Sequence, residues 1–226
     1  MPNKADKKHK ALLILQRLKE LYPNSECALE YGGDPWRLFV MARLSAQCTD
    51  ARVNTVCRDL FKRYGNVYEM AEADISELEE AVRPCGLYKM KAAQLKAACQ
   101  MLISRHGGNI PSDMSELLAL PGVGRKIANL LRGDIFGLGG IVADTHCIRI
   151  SGKLGLCREG EKDAVKVEKA LEPLIPKEEQ SDFCHRIINL GREICSARSP
   201  RCHECPLSDI CDSYAETDAK QNSNNL

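Results

Sequence analysis

Leu120-Pro121-Gly122-Val123-Gly124-Arg125-Lys126 is the stretch whose reading decides the fold. Pro121 and the two glycines break helical periodicity over a length that suits a tight turn between two helices. Upstream, Asp113 followed three residues later by Glu116 resembles a capping box that opens a helix over Leu117–Leu120. Downstream, Arg125 to Leu131 resumes the helical pattern. Glycines let a ligand approach the backbone closely. The amides after Val123 face outward at a helix start, where unpaired N–H groups and the positive helix end favour a phosphate. Taken alone, the stretch is accounted for by an ordinary inter-helix turn. Lys126 falls in the first turn of the second helix. An amine attacks carbon only when neutral, and the helix end and Arg125 both disfavour an added cation there. The position suits Schiff-base chemistry. A surface lysine that contacts phosphate is the plainer alternative.

Working outward, the periodicity is helical nearly throughout. Residues 8–21 form a helix stopped by Pro23. Asp34-Pro35 reads as an N-cap with proline at the first helical position. Thr49 and Asp50 cap a helix that runs to Tyr64 and ends at Gly65. Shorter patterns cover Glu77–Val82, Lys91–His106, Asp163–Leu174 and Asp182–Cys195. No stretch alternates with period two for long enough to make a convincing strand, so the chain is expected to be all-α. Gly137–Gly140 is the best hinge candidate, and the polar tail Thr217–Leu226 is expected to fray. After the apolar run Ile141–Ala143 comes Asp144-Thr145-His146. Asp144 is either an N-cap for the segment from Thr145 or a carboxylate facing Lys126 that stabilises positive charge on a sugar. His146 reads first as a packed or capping histidine.

The net charge of +1 over 226 residues does not announce a nucleic-acid binder. Charge is uneven, however: Ala81 to Arg149 holds nine basic residues against four acidic ones, a segment able to meet phosphates. The polar start, MPNKADKKHK, is no secretory signal, and no run is long enough to span a bilayer. A cytoplasmic protein with reduced thiols is expected.

Twelve cysteines in such a chain argue for metal rather than disulfides. Eight are scattered, while Cys195, Cys202, Cys205 and Cys211 fall within 17 residues. Soft thiolates select zinc or an iron–sulfur cluster. A zinc ribbon needs two close Cys-x2-Cys knuckles, and only Cys202–Cys205 supplies one.

Five motifs in order resemble the helix-hairpin-helix DNA glycosylases of the endonuclease III family. They are Leu44-Ser45-Ala46-Gln47-Cys48-Thr49-Asp50, then Gly86-Leu87-Tyr88 with Lys91-Ala92, the stretch from Leu120 to Lys126, Asp144-Thr145-His146, and the four-cysteine spacing. The resemblance implies a two-lobed all-α fold, with a helical bundle and hairpin at 28–138. A second lobe, 1–27 plus 139–226, would carry a C-terminal [4Fe-4S] cluster held by Cys195, Cys202, Cys205 and Cys211. It implies a monomeric bifunctional glycosylase and abasic-site lyase that removes oxidised pyrimidines from duplex DNA, flipping the nucleotide into the cleft between the lobes. Lys126 would attack the sugar and Asp144 would assist. Gln47 and Leu87 would fill the gap left by the flipped base. Pro121, Gly122, Val123, Gly124, Arg125 and His146 would contact DNA. Read from the residues alone, Gln47 is a helix-end polar residue and Leu87 a core leucine. Ile127 and Ala143 depart from the common family pattern, where Thr and Val stand, and bear on substrate range more than on reaction type. A monofunctional relative would lack a lysine at 126. A redox-sensing cluster protein would need no pairing of Lys126 with Asp144.

The near-neutral chain predicts few phosphate contacts, so DNA affinity should fall with salt along a shallow log–log slope. A titration at several salt concentrations checks this; an affinity that salt leaves unchanged contradicts it.

Overall fold

Asp34 shows how the sequence starts its helices. In the computed structural model its carboxylate accepts from Trp36 N–H at 2.9 Å and Arg37 N–H at 3.2 Å, and Pro35 opens the helix behind it. The structure describes residues 4–215. They contain helices α1 (Lys4–Leu21), α2 (Pro35–Leu44), α3 (Asp50–Arg63), α4 (Val67–Glu72), α5 (Ile75–Val82), α6 (Tyr88–His106), α7 (Met114–Ala119), α8 (Arg125–Asp134), α9 (Thr145–Lys153), α10 (Ala164–Leu171) and α11 (Gln180–Glu193). Among the described residues there is no strand, so the fold is all-α as the periodicity predicts. None of these helices is long and apolar enough to cross a membrane. The polar tail expected to fray, Thr217–Leu226, lies outside the described residues.

The chain divides into two compact units. A central unit comprises Cys27–Gly137, and a terminal unit joins Met1–Glu26 to Leu138–Leu226. The central unit packs α2 to α8 around Phe39, Leu38, Leu44, Leu60, Leu78, Leu95, Leu102 and Leu131, all nearly or fully buried. Burying each such side chain contributes roughly 1.5–3 kcal/mol before conformational entropy is subtracted. In the terminal unit α11 presents Phe183, Ile187 and Leu190, and α1 presents Ala11, Ile14 and Leu18, as buried stripes. The α11 residue Arg186 donates to the Tyr22 carbonyl at 3.2 Å, just past the end of α1.

Several boundaries differ from those the sequence suggests. Helix α4 falls where the sequence shows no pattern, because six residues are too few to display a period. It is started by Asn66, whose side chain accepts from Tyr68 N–H and Glu69 N–H. Asp74 starts α5 two residues ahead of the expected Glu77. Helix α10 ends at Leu171 instead of Leu174, since Pro173 has no N–H to continue the ladder. Helix α6 begins at Tyr88, three residues before Lys91.

The hairpin joins α7 to α8. Val123 N–H donates to the Leu120 carbonyl at 3.1 Å, and both side chains are buried. Gly122 takes φ +80°, and a Cβ there would lie 2.5 Å from Arg43 Nε and 2.6 Å from Gln94 Oε1. Arg43 is itself 4% exposed and its Nε donates to Gln94 Oε1 at 2.8 Å. The hairpin thus rests on a polar pair, buried Arg43 and half-buried Gln94, which a methyl group at 122 would displace. Gly122→Ala should cost about 2 kcal/mol or more, from left-handed backbone strain plus displacement of that pair. Gly124→Ala, with φ −103° and open space around it, should cost clearly less. Melting temperatures of the two variants check the order.

Candidate functional site

Lys126 is exposed in the first turn of α8, directly behind the hairpin. Gly124 is the N-cap of α8 and supplies no side-chain acceptor, so the first-turn amides are not taken up by a cap. Pro121 and Gly122 are half-buried, Val123 is buried, Gly124 is exposed and Arg125 is half-buried. The backbone of the turn and the amine of Lys126 are therefore presented by one rigid corner, with Val123 as its anchor in the core.

Gln47 and Leu87 share a property that the sequence does not show. They are the non-glycine residues with positive φ among those described, at 56° and 49°. Both are exposed, and Leu87 at 50% is far from the core leucine that its residue type suggests. Left-handed backbone costs an L-residue roughly 1–2 kcal/mol, and such strain persists where surrounding structure over-determines it.

Lys91 bonds to the backbone beside both residues. It falls in the basic segment that the sequence offers to phosphates, yet it is fully buried. Its Nζ donates at 2.8 Å to each of three carbonyls, Leu44, Ala46 and Cys85. Burial pulls the pKa of the ammonium below its ordinary value, against the opposing pull of the Cys85 and Cys48 thiols. Burial likewise pushes the Cys85 thiol up to about 12, so it stays protonated beside the lysine. The signal available in the sequence is position: Lys91 lies on the α6 stripe that continues through Leu95, Ala98 and Leu102, all buried.

Asp144 and His146 belong to the terminal unit, whereas Lys126, Gln47 and Leu87 belong to the central one. Asp144 caps α9, its Oδ1 accepting from Cys147 N–H at 2.7 Å. The side chain is half-buried, which keeps it accessible. His146 is half-buried and packs against Gly191 of α11, where a Cβ would come within 2.3 Å of its Nδ1.

The four clustered cysteines line one cavity of about 410 Å³, walled by Ile150, Leu154, Leu190, Ile194, Pro200 and Tyr214 among others. Burial and then their mutual approach push the Cys205 and Cys211 thiols up in the free protein. Arg149 donates to the Cys195 carbonyl at 2.6 Å and lies 3.6 Å from Cys195 Sγ, a cation placed where thiolate charge would accumulate. Arg17 of α1 donates to the Pro206 carbonyl at 2.8 Å and to Asp209 Oδ2 at 2.9 Å, and Leu207 plugs the loop into the core. An all-sulfur donor set around a largely apolar cavity suits a soft-metal centre, and an iron–sulfur cluster fits it.

Comparison with known proteins agrees with this geometry. Residues 40–177 match the HhH-GPD superfamily of base excision DNA repair proteins, and residues 195–211 match the iron–sulfur binding domain of endonuclease III. Endonuclease III of Bacillus subtilis is 42% identical over 207 residues, covering 91% of this chain and 93% of that protein. Endonuclease III of Escherichia coli K12 is 35% identical over 211 residues, covering 93% and 99%. Among solved structures, a non-covalent endonuclease III–DNA complex is similar with a TM-score of 0.87 at 39% identity, covering 97% of this chain and 100% of that one. A trapped endonuclease III–DNA covalent intermediate matches with the same score and identity, covering 96% and 100%. The cofactor of this chain is accordingly a [4Fe-4S] cluster.

The strained backbone generates a stability order. Glycine at 47 or 87 removes the left-handed penalty of about 1–2 kcal/mol and adds roughly 0.5–1 kcal/mol of unfolded-chain entropy. Gln47→Gly and Leu87→Gly should therefore melt at or slightly above the parent temperature, and Gln47→Val and Leu87→Val clearly below it. Thermal melts of the four variants read the order directly.

Proposed function

The chain belongs to the HhH-GPD superfamily of base excision DNA repair proteins, and on that footing we propose that it removes oxidised pyrimidines from duplex DNA and then cuts the strand. It is a DNA glycosylase with abasic-site lyase activity, working as a monomer in the cytoplasm. The observation that carries the reading is Lys126, an exposed amine in the first turn of α8 directly behind the hairpin.

The neutral Nζ of Lys126 attacks C1′ of a nucleotide extruded from the stack. The bond from C1′ to the base breaks, and the base leaves with a proton. The sugar ring opens as nitrogen and C1′ form an imine. Loss of a proton from C2′ then lets the C3′–O bond break, which cuts the strand on the 3′ side. Water hydrolyses the imine and returns the free lysine. Asp144 stabilises positive charge on the sugar, its Oδ1 keeping the cap bond to Cys147 N–H.

The remaining residues hold the substrate. First-turn amides of α8, the Pro121–Gly124 backbone and Arg125 receive a phosphate, and His146 makes a further contact to the DNA. The Gln47 amide hydrogen-bonds the orphaned partner base while Leu87 keeps the stack open. Cys195, Cys202, Cys205 and Cys211 hold the [4Fe-4S] cluster, which cross-links their loop and supplies no bond-breaking chemistry.

Borohydride trapping tests this. The protein should form a covalent adduct with duplex DNA carrying thymine glycol or an abasic site. Lys126→Ala should form none and lose activity by about a thousandfold or more. Asp144→Asn keeps the cap acceptor and removes the charge, so excision should drop about a hundredfold with iron content unchanged. An adduct that survives Lys126→Ala sinks the assignment.

A further inference from the structure

The proposed reading asks two exposed side chains from separate turns to enter one gap in the DNA. Gln47 follows α2, and Leu87 precedes α6. Nothing in either turn alone fixes their spacing. Lys91 Nζ, however, is bonded to both turns. Two of its acceptors, the carbonyls of Leu44 and Ala46, lie three residues and one residue before Gln47, and the third, of Cys85, lies two before Leu87. An ammonium has three protons, and three carbonyls receive them.

We infer that Lys91 is a positioning residue that locks the Gln47 and Leu87 turns to each other, so that both side chains reach the gap left by a flipped nucleotide. The inference rests on the proposed function, which supplies the gap. Three observations carry it. The lysine is fully buried on a helix face that is otherwise apolar, where a leucine or methionine would serve packing alone at less desolvation cost. Its partners are backbone carbonyls, so its charge is held by the direction of the peptide dipoles, and those peptides cannot rotate without leaving a buried cation unpaired. Gln47 directly follows the Ala46 peptide and Leu87 comes two residues after that of Cys85, and both take left-handed backbone, a conformation that needs such external restraint. A purely structural lysine would stabilise the unit without acting through Gln47 and Leu87.

The test is a binding cycle that does not depend on catalysis. The cluster-loaded protein is titrated with a duplex carrying a tetrahydrofuran abasic analogue and with the same duplex undamaged. The ratio of the two affinities reports gap filling. Lys91→Met should lower that preference about tenfold, the scale expected when groups are displaced by a fraction of an ångström to an ångström. Gln47→Ala and Leu87→Ala should each lower it in the parent and change it little in the Lys91→Met background, since residues acting as one unit are non-additive. Lys91→Gln, which keeps two donors on a shorter stem, should fall between, and it carries the cycle if Lys91→Met does not fold. A preference that survives both lysine variants, or losses that simply add, overturns the inference. Failure of the parent to trap on abasic DNA while these couplings stand refutes the proposed chemistry and leaves the positioning role intact.

Discussion

A buried cation with three backbone carbonyls is the constraint on which the two left-handed turns of the central unit depend. Lys91 cannot be left partly bonded, because an unpaired charge in a protein interior costs far more than the net contribution of any one hydrogen bond. The three peptides of Leu44, Ala46 and Cys85 must therefore converge on one point. That convergence sets where α2 ends and where α6 begins, and it carries the strain at Gln47 and Leu87.

The hairpin is supported by a similar device of opposite character. Arg43 lies under Gly122 and is held by Gln94 of α6. A glycine lets the turn sit directly on a buried guanidinium. Helix α6 thus supports two presentation surfaces from one scaffold: Lys91 near its N-terminus holds the two strained turns, and Gln94 three residues on backs the corner that displays Lys126. Precision in both places comes from polar groups with fixed partners, which tolerate less drift than an apolar contact of the same area.

What can be read from the sequence divides along the same line. Local rules are legible. Asp34, Asp113, Asp144 and Asp163 each accept amide bonds at a helix start, and the turn at Pro121–Gly124 joins two helices as its glycines suggest. The cysteine spacing is legible as a metal centre because four soft donors so close together can surround one site. The left-handed backbone of Gln47 and Leu87 is not legible, since neither residue type favours it and the restraint comes from a lysine 44 positions from one and 4 from the other. Lys91 itself reads as surface charge. Its place on the apolar α6 stripe hints at burial, but two of the three carbonyls that receive it, Leu44 and Ala46, lie 47 and 45 residues away, outside any local window. Helix α4 escapes because its start depends on Asn66 and its length gives no period.

The pairing of α1 with α11 has a consequence for synthesis on the ribosome. The central unit is continuous from Cys27 to Gly137 and can fold as it emerges. Helix α1 leaves first, but its partners follow only after that whole unit has been made. At roughly 5–20 residues per second the first helix waits on the order of ten seconds with its Ala11, Ile14 and Leu18 stripe unsatisfied. The lysines and arginine that later grip Asp209, Asp212 and Glu179 leave that waiting segment dense in positive charge. Like charges repel, so side chains that in the finished protein hold the cluster loop (Arg17, Lys10) and the start of α11 (Lys19) also disfavour association of waiting copies through the exposed stripe.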